Sequence, residues 1–476
     1  MTMKEAAIAT NRFGLGARPG QLEEVAKDPK GWLLAQLEPE RELPKPLTTL
    51  PSGAEDQLEF GRWLRSVQGE VGRATRQGGM DPETPPGVEA SFVGRFLPRV
   101  EASIAARYTT AVETQRPFFE RMVHFWSNHF VVSGAKPAVI AIPPSFEREA
   151  IRPHVMGKFS DLLFASTKHP GMLVYLDNFI SIGPRSRRAR RGAGRGFGGQ
   201  RRPQGLNENL AREILELHTL GVDGGYTQAD VTSFAKVITG WGVERAGFVR
   251  RRLFRTDGFE FDDAAHEPGP HTVLGKEYAQ AGVGQGEAVL LDLARHTSTS
   301  EHVATKLVRH FVADDPPPPV VSRVAQAFRK SDGDLEVVYR ALIESPEAWQ
   351  APQRKLKSPE EYLISAGRAI GTPVIPGRAL LASMVQMGQR PYGAPSPAGW
   401  PDVENEWIGS DALWKRVQWA ERAAEAVARM HPDPAALARQ VLGPLASEST
   451  LAAIGAAKPP SRGLAILLAS PEFQRR

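Results

Sequence analysis

Two stretches of the chain place a histidine on what reads as the buried face of a helix. Advancing about 100° per residue along Pro117–Phe130 puts Phe118, Met122, Phe125, Trp126 and His129 on one apolar stripe. Arg121, His124 and Asn128 fall together on a flank, with His124 and Asn128 four residues apart. Along Asn207–Leu220 the stripe is Leu210, Ala211, Ile214 and Leu217, and it contains both Asn207 and His218. Those two are about 16 Å apart along the axis at roughly 1.5 Å per residue, too far to share one metal ion. Glu213 lies at the margin of the stripe on a polar line with Asn209 and Glu216. Glu208, Arg212 and Glu216 form an i, i+4, i+8 ladder that reads as ordinary ion pairs.

If these two helices pack together, His129 and His218 converge with Glu213 beside them. Imidazole and carboxylate form the ligand set of zinc, manganese or non-haem iron. The same groups serve as general acid and base once burial has moved their pKa values. Three readings follow: a divalent metal site on His129, His218 and Glu213, metal-free acid–base catalysis by the same residues, or core histidines that only make hydrogen bonds. No HExxH or other familiar metal spacing is present. The leading expectation is an enzyme with a buried His/Glu/Asn pocket, carrying out hydrolysis or oxidation. In it His124, Asn128, Asp177, Asn178, Asn207 and Asn209 position substrate or support the catalytic groups. The competing expectation is a helical scaffold for a partner protein, its buried His and Asn acting as hydrogen-bonding pins.

The elements that must position these residues are mainly helical. The pattern predicts an all-α chain forming one large multi-helix fold, with a small β-hairpin or irregular flap near 247–275. A loop-rich connector is expected over 38–91, holding one short helix near Glu59–Val71, and a helical pattern sets in after Pro98. A C-terminal helical subdomain is expected over about 355–476. Ser358-Pro359-Glu360-Glu361 reads as a capping box, and Ser345-Pro346-Glu347 and Ser470-Pro471-Glu472 as starts of short helices. Gly14 and Gly16 follow no strand, and Pro19 sits where a cradling N–H is needed, so a phosphate loop is disfavoured.

Composition narrows the function classes. The chain of 476 residues has no cysteine, which removes thiolate zinc sites, iron–sulfur clusters and cysteine nucleophiles. Its net charge is +5, yet Arg185–Arg202 alone carries eight arginines, five glycines and no carboxylate. The rest of the chain is therefore net acidic, and nucleic acid is expected as a partner only through this tract. A disordered Arg/Gly insertion is expected over 184–204. No stretch approaches the roughly 20 apolar residues of a membrane span. The N-terminal residues lack a signal-peptide pattern, which predicts a cytoplasmic chain, although an exported protein trimmed of its signal reads the same.

Several of these segments together resemble a known family. HFWSNHFVVS (His124–Ser133), ASTKHPGMLVYLDN (Ala165–Asn178), GLNENLAREILELHTLGVDGGYTQADV (Gly205–Val231), ITGW (Ile238–Trp241), TVLGK and SPAGWPD are similar, in order, to the bacterial domain-of-unknown-function family 1800. The resemblance runs from RFGLGARPG to SPEFQRR and implies no agreed activity. It implies export in many members, often by the twin-arginine route, which the start of this chain does not match. HEPGPHTVLG departs from the family's His-Asp form, so the resemblance supports His266 less than His129 or His218.

Overall fold

The computed structural model describes residues 2–76, 88–136, 139–191, 205–243, 258–350, 352, 354–371 and 375–476. The fold is mainly α, with two small antiparallel two-stranded sheets. Trp241–Val243 pairs with Phe259–Phe261, and His271–Val273 with Lys276–Tyr278. Their strands fall within and on either side of the expected flap, whose residues 247–257 lie outside the described residues.

Two sequence expectations are corrected. The connector 38–91 holds a helix of 24 residues, Gly53–Arg76, instead of a short one. The next helix, Val88–Glu113, runs straight through Pro98 instead of starting after it. An interior proline costs roughly 3 kcal/mol. Here Phe92 and Phe96 on the upstream turn pack against Trp63 and Phe60 of the preceding helix, which offsets that cost.

Apolar side chains form two large clusters. One gathers residues from the N-terminal helix to Trp349. The other is built from Tyr362–Ile370 and later helices, joined by Leu15, Ile104 and Tyr108. Helix Pro117–His129 belongs to the first cluster and is buried on nearly every side. Proline opens it, where the missing N–H costs nothing. Its one buried indole is satisfied, since Trp126 Nε1–H donates to Tyr339 Oη at 2.6 Å and Tyr339 Oη–H donates to Val155 O.

Helix Thr297–Phe311 lies alongside it. Its N-terminus is capped by His296 Nδ1, which accepts the Ser298 N–H at 3.2 Å. Val303, Ala304, Leu307, Val308 and Phe311 form its buried stripe, each worth on the order of 1–3 kcal/mol on burial. Phe118 meets Phe311, Phe125 meets His310, and His129 meets His302, so the two helices run antiparallel. The end of helix Gly377–Gln386 with the loop that follows it to residue 407, and the start of helix Pro359–Ile370, face this pair. The Ser358 capping box forms as expected, and so do the short helices after Ser345-Pro346 and Ser470-Pro471.

The stretch 184–204 is ordered at its start. Arg187–Arg190 is a short helix capped by Ser186. Three carboxylates explain this. Arg185 pairs with Glu267, Arg187 with Asp263 and Arg188 with Asp262, which removes the self-repulsion a run of arginines would otherwise suffer. Residues 192–204 lie outside the described residues.

Candidate functional site

The two antiparallel helices, the segment 355–361 and residues 384–407 enclose a cavity of about 370 Å³. His124, Asn128 and His129 reach it from one helix, and Lys306, Arg309 and His310 from the other. Trp400 and Trp407, with ring centroids 5.9 Å apart, form a wall. That wall is tied down by Asn128, whose Nδ2 donates to Trp400 O at 2.9 Å and whose Oδ1 accepts the Trp400 N–H at 2.7 Å. Gly399 makes this approach feasible. Its φ is +86°, and a Cβ there would sit 2.4 Å from the Asn128 backbone oxygen. Tyr392, also lining the cavity, holds φ at 53° without being glycine, a strained conformation of the kind that gathers at functional sites.

Most charges around the cavity are matched. Arg107 bonds both oxygens of Glu147 and pairs with Glu360. Arg121 and Arg476 clamp Glu361 at 2.7 and 3.1 Å. Burial pushes the Glu361 carboxyl up, but these two guanidinium groups outweigh it and hold it at about 2. Asp402 accepts from His310 Nδ1 at 2.6 Å and lies 3.4 Å from both Lys355 and Arg476. Those neighbours keep its carboxyl far below the usual range despite burial. His310 is neutral: burial lowers it to about 4, and its Nε2 accepts a hydrogen bond from Arg121 Nε at 3.2 Å.

Lys306 is different. It lines the cavity and makes no hydrogen bond or ion pair among the described residues. Burial, aided by Arg309 and opposed by Asp402, pulls its ammonium down to about 8. His124 complements it. Its Nε2 is buried 3.8 Å from Glu120 Oε1, which favours the proton on that nitrogen and leaves Nδ1 as the lone-pair atom. Burial and the nearby Arg107, Arg152 and Arg121 keep this ring neutral.

From His129, on the cavity lining, a layer of buried imidazoles extends into the core. His129 is 6.2 Å from His218 and 6.0 Å from His302, measured between ring centroids. His129 Nε2–H donates to His218 O at 3.1 Å, and His302 Nε2–H donates to Leu217 O at 3.0 Å. Burial, followed by the Lys306 charge, lowers all three; His218 falls to about 3 and His302 to about 4. The expected meeting of His129 and His218 is therefore present, but Glu213 does not join it. The chain is α-helical over Asn209–Glu213 and π-helical over Ile214–Thr219, so uniform 100° steps misplace residues beyond the switch: Leu215 is buried and Leu217, expected in the stripe, is half-buried. Glu213 is half-buried near Tyr175 and Glu216, its carboxyl raised by burial and then by Glu216. Among the described residues no three His, Cys, Asp or Glu side chains are placed to hold a metal ion.

The other expected residues lie elsewhere. Asp177 adopts a left-handed turn and pairs with Lys136 at 2.5 Å. Asn178 is buried, its Nδ2 donating to Ile238 O and Trp241 O. Asn207 Oδ1 accepts the Asn209 N–H at 2.9 Å and starts the helix there, with Asn209 exposed. None of these lines the cavity. The Glu208–Arg212 half of the expected ladder forms at 3.3 Å, while Glu216 accepts instead from Tyr226. His266 is buried with Nδ1 3.0 Å from Thr239 O.

Sequence reasoning missed Lys306, Arg309 and His310. A signal was present, because His302, Lys306 and His310 stand at i, i+4, i+8 on one helix. The π-helical segments Ala9–Phe13, Glu147–Ile151 and Ile214–Thr219 all border this region. The first leads to Gly14, whose carbonyl accepts from Arg121, the second supplies Glu147, and the third supplies the carbonyls that hold His129 and His302. Such segments occur often at functional sites.

No helix among the described residues is long and apolar enough to cross a membrane. No curated protein and no solved structure gives a significant match to the chain. A family model described as a protein of unknown function, DUF1800, matches residues 8–475, and the chain belongs to that family.

Proposed function

We propose that this protein is an enzyme whose active site is the cavity between helices Pro117–His129 and Thr297–Phe311, working by acid–base chemistry. The observation that carries this reading is Lys306, a lysine amine left without a partner in a cavity where the surrounding carboxylates are already engaged. A half-buried ammonium without a partner is costly, and such groups persist where function uses them. With its pKa lowered to about 8, the Lys306 ammonium is a proton donor suited to neutral pH. His124 Nδ1 offers a lone pair that accepts a hydrogen bond from the substrate, since burial and the nearby arginines disfavour its protonation. Asn128 holds the Trp400 wall in place, and His129 is a positioning residue on the cavity lining.

The test is a turnover screen of esters and amides, the hydrolytic class that acid–base groups can carry without an electron acceptor. Lys306→Met and His124→Phe should each lower turnover by about 10²–10⁴-fold in folded protein. Turnover that survives both changes removes the assignment.

A divalent-metal version would draw on His129 and His218, whose Nδ1 atoms are buried without hydrogen-bond partners. Glu213 does not stand with them, and the ammonium of Lys306 repels a cation nearby. Stoichiometric zinc, manganese or iron in untagged protein, lost in His129→Ala, would favour that version. The scaffold reading is favoured by the bonds of His129, His302 and Asn178 to backbone oxygens, which are those of structural pins. One dominant protein partner recovered in a pull-down, with no turnover in the screen, would support it.

A further inference from the structure

Lys306 is not the only cation the cavity leaves open. Arg309 stands three residues further along the same helix, on the same face, and also lines the cavity. Its Nε donates to Asp314 O at 3.3 Å, and its two terminal nitrogens have no partner among the described residues. Neither these nitrogens nor Lys306 Nζ is among the buried unpartnered atoms, so all of them reach open space.

The carboxylates within reach are committed. Asp402 is held by His310, Lys355 and Arg476, and Asp314 by Lys355 and the Glu404 N–H. Glu361 is clamped by two arginines, and Glu147 and Glu360 by Arg107. The lining therefore carries two more cationic than anionic groups, and the surplus is Lys306 and Arg309. The histidines add no charge, because burial keeps His124, His129 and His310 neutral.

We propose that the cavity binds a small organic molecule through an oxyanion, a carboxylate or phosphate held between Lys306 Nζ and the terminal nitrogens of Arg309. An arginine with both end nitrogens open presents the fork that matches such a group, and the lysine supplies a point charge beside it. The rest of the ligand lies against Trp400 and Trp407, with His124 and Asn128 as its polar contacts. This rests on the cavity being the working site, as proposed above, and adds the chemical class of what enters it.

The test uses the full chain and two probes, malonate and inorganic phosphate, each titrated against chloride at matched ionic strength. Tryptophan fluorescence and the melting temperature are followed together. A saturable response to either probe is expected, with malonate and phosphate arms separating a carboxylate site from a phosphate site. Lys306→Met/Arg309→Met should weaken that binding at least about tenfold, and Lys306→Arg should keep it. If the double variant does not fold, Lys306→Gln and Arg309→Gln singly should each show the loss. No saturable response in the wild type, or unchanged affinity in the variants, overturns the proposal. Oxyanion binding that depends on both residues, alongside no turnover of any substrate, would instead overturn only the enzyme reading.

Discussion

His129 Nε2 lies 3.1 Å from the main-chain oxygen of His218, so the ring donates its proton to the segment where the α-helix gives way to a π-helix. Its other nitrogen is buried without a partner. His129→Ala would leave that carbonyl unsatisfied and open a void beside Trp126 and Phe130. The expected loss is about 2–4 kcal/mol in urea unfolding. A change below about 0.5 kcal/mol would show that this contact does not hold the π-helical segment.

Asn128 bonds the Trp400 amide in both directions. Asn128→Ala removes both bonds at once and should free the 394–407 wall while the helix beneath stays folded. Faster hydrogen exchange confined to that loop is the expected outcome, with destabilisation of about 1–3 kcal/mol. Unchanged exchange at Trp400 would mean that packing at Gly399 alone fixes the wall.

Lys306 costs stability while it is charged. Its folded-state pKa is lowered to about 8 from 10.5, so between those values the unfolded chain holds more protons. Stability therefore rises with pH across that window as the penalty is relieved. Lys306→Met should raise stability at pH 7 by on the order of 1 kcal/mol and flatten the curve between pH 8 and 10.5. A destabilised variant with an unchanged pH curve would place a hidden partner on this lysine.

Five imidazoles, His124, His129, His218, His302 and His310, are all lowered by burial and stay neutral when folded. Below the unfolded value of 6.5 the unfolded chain takes up protons that the folded chain refuses. Stability is then lost as pH falls from about 6.5 toward 4, at up to about 1.4 kcal/mol per pH unit for each group. His218→Phe should shallow this slope by about one group's share. Melting temperatures flat between pH 6.5 and 4.5 would contradict the buried neutral state.

Which parts of this were legible in the sequence follows from where each signal is local. His129 was placed correctly because Pro117–His129 is a regular helix and its stripe is periodic. His218 is buried as its place on the stripe predicts, but nothing in ILELHT marks the change to π-helical geometry that buries Leu215 in place of Leu217. Glu213 keeps its marginal, half-buried place, and helix periodicity alone does not say which neighbour it faces. Pro98 read as a boundary, and only the distant aromatic cluster around Trp63 lets the helix pass through it. His302, Lys306 and His310 form a visible polar stripe, yet an amphipathic helix normally turns that face to water. Here residues 355–361 and 384–407 cover it, and no local pattern encodes that covering. Asp177 and Asn178 read as pocket residues, yet Asp177 takes a left-handed turn and Asn178 serves the backbone of Ile238 and Trp241.

Acid–base work in the cavity requires Lys306 to be an accessible amine with a lowered pKa. Competitive acetylation of the folded protein over pH 6–11, with the modified peptides quantified by mass spectrometry, measures both properties at that one residue. Lys306 is predicted to react with a midpoint near pH 8, well below the ordinary lysine value of 10.5. A midpoint near 10.5, or no reaction of Lys306 while the chain is folded, would contradict the account.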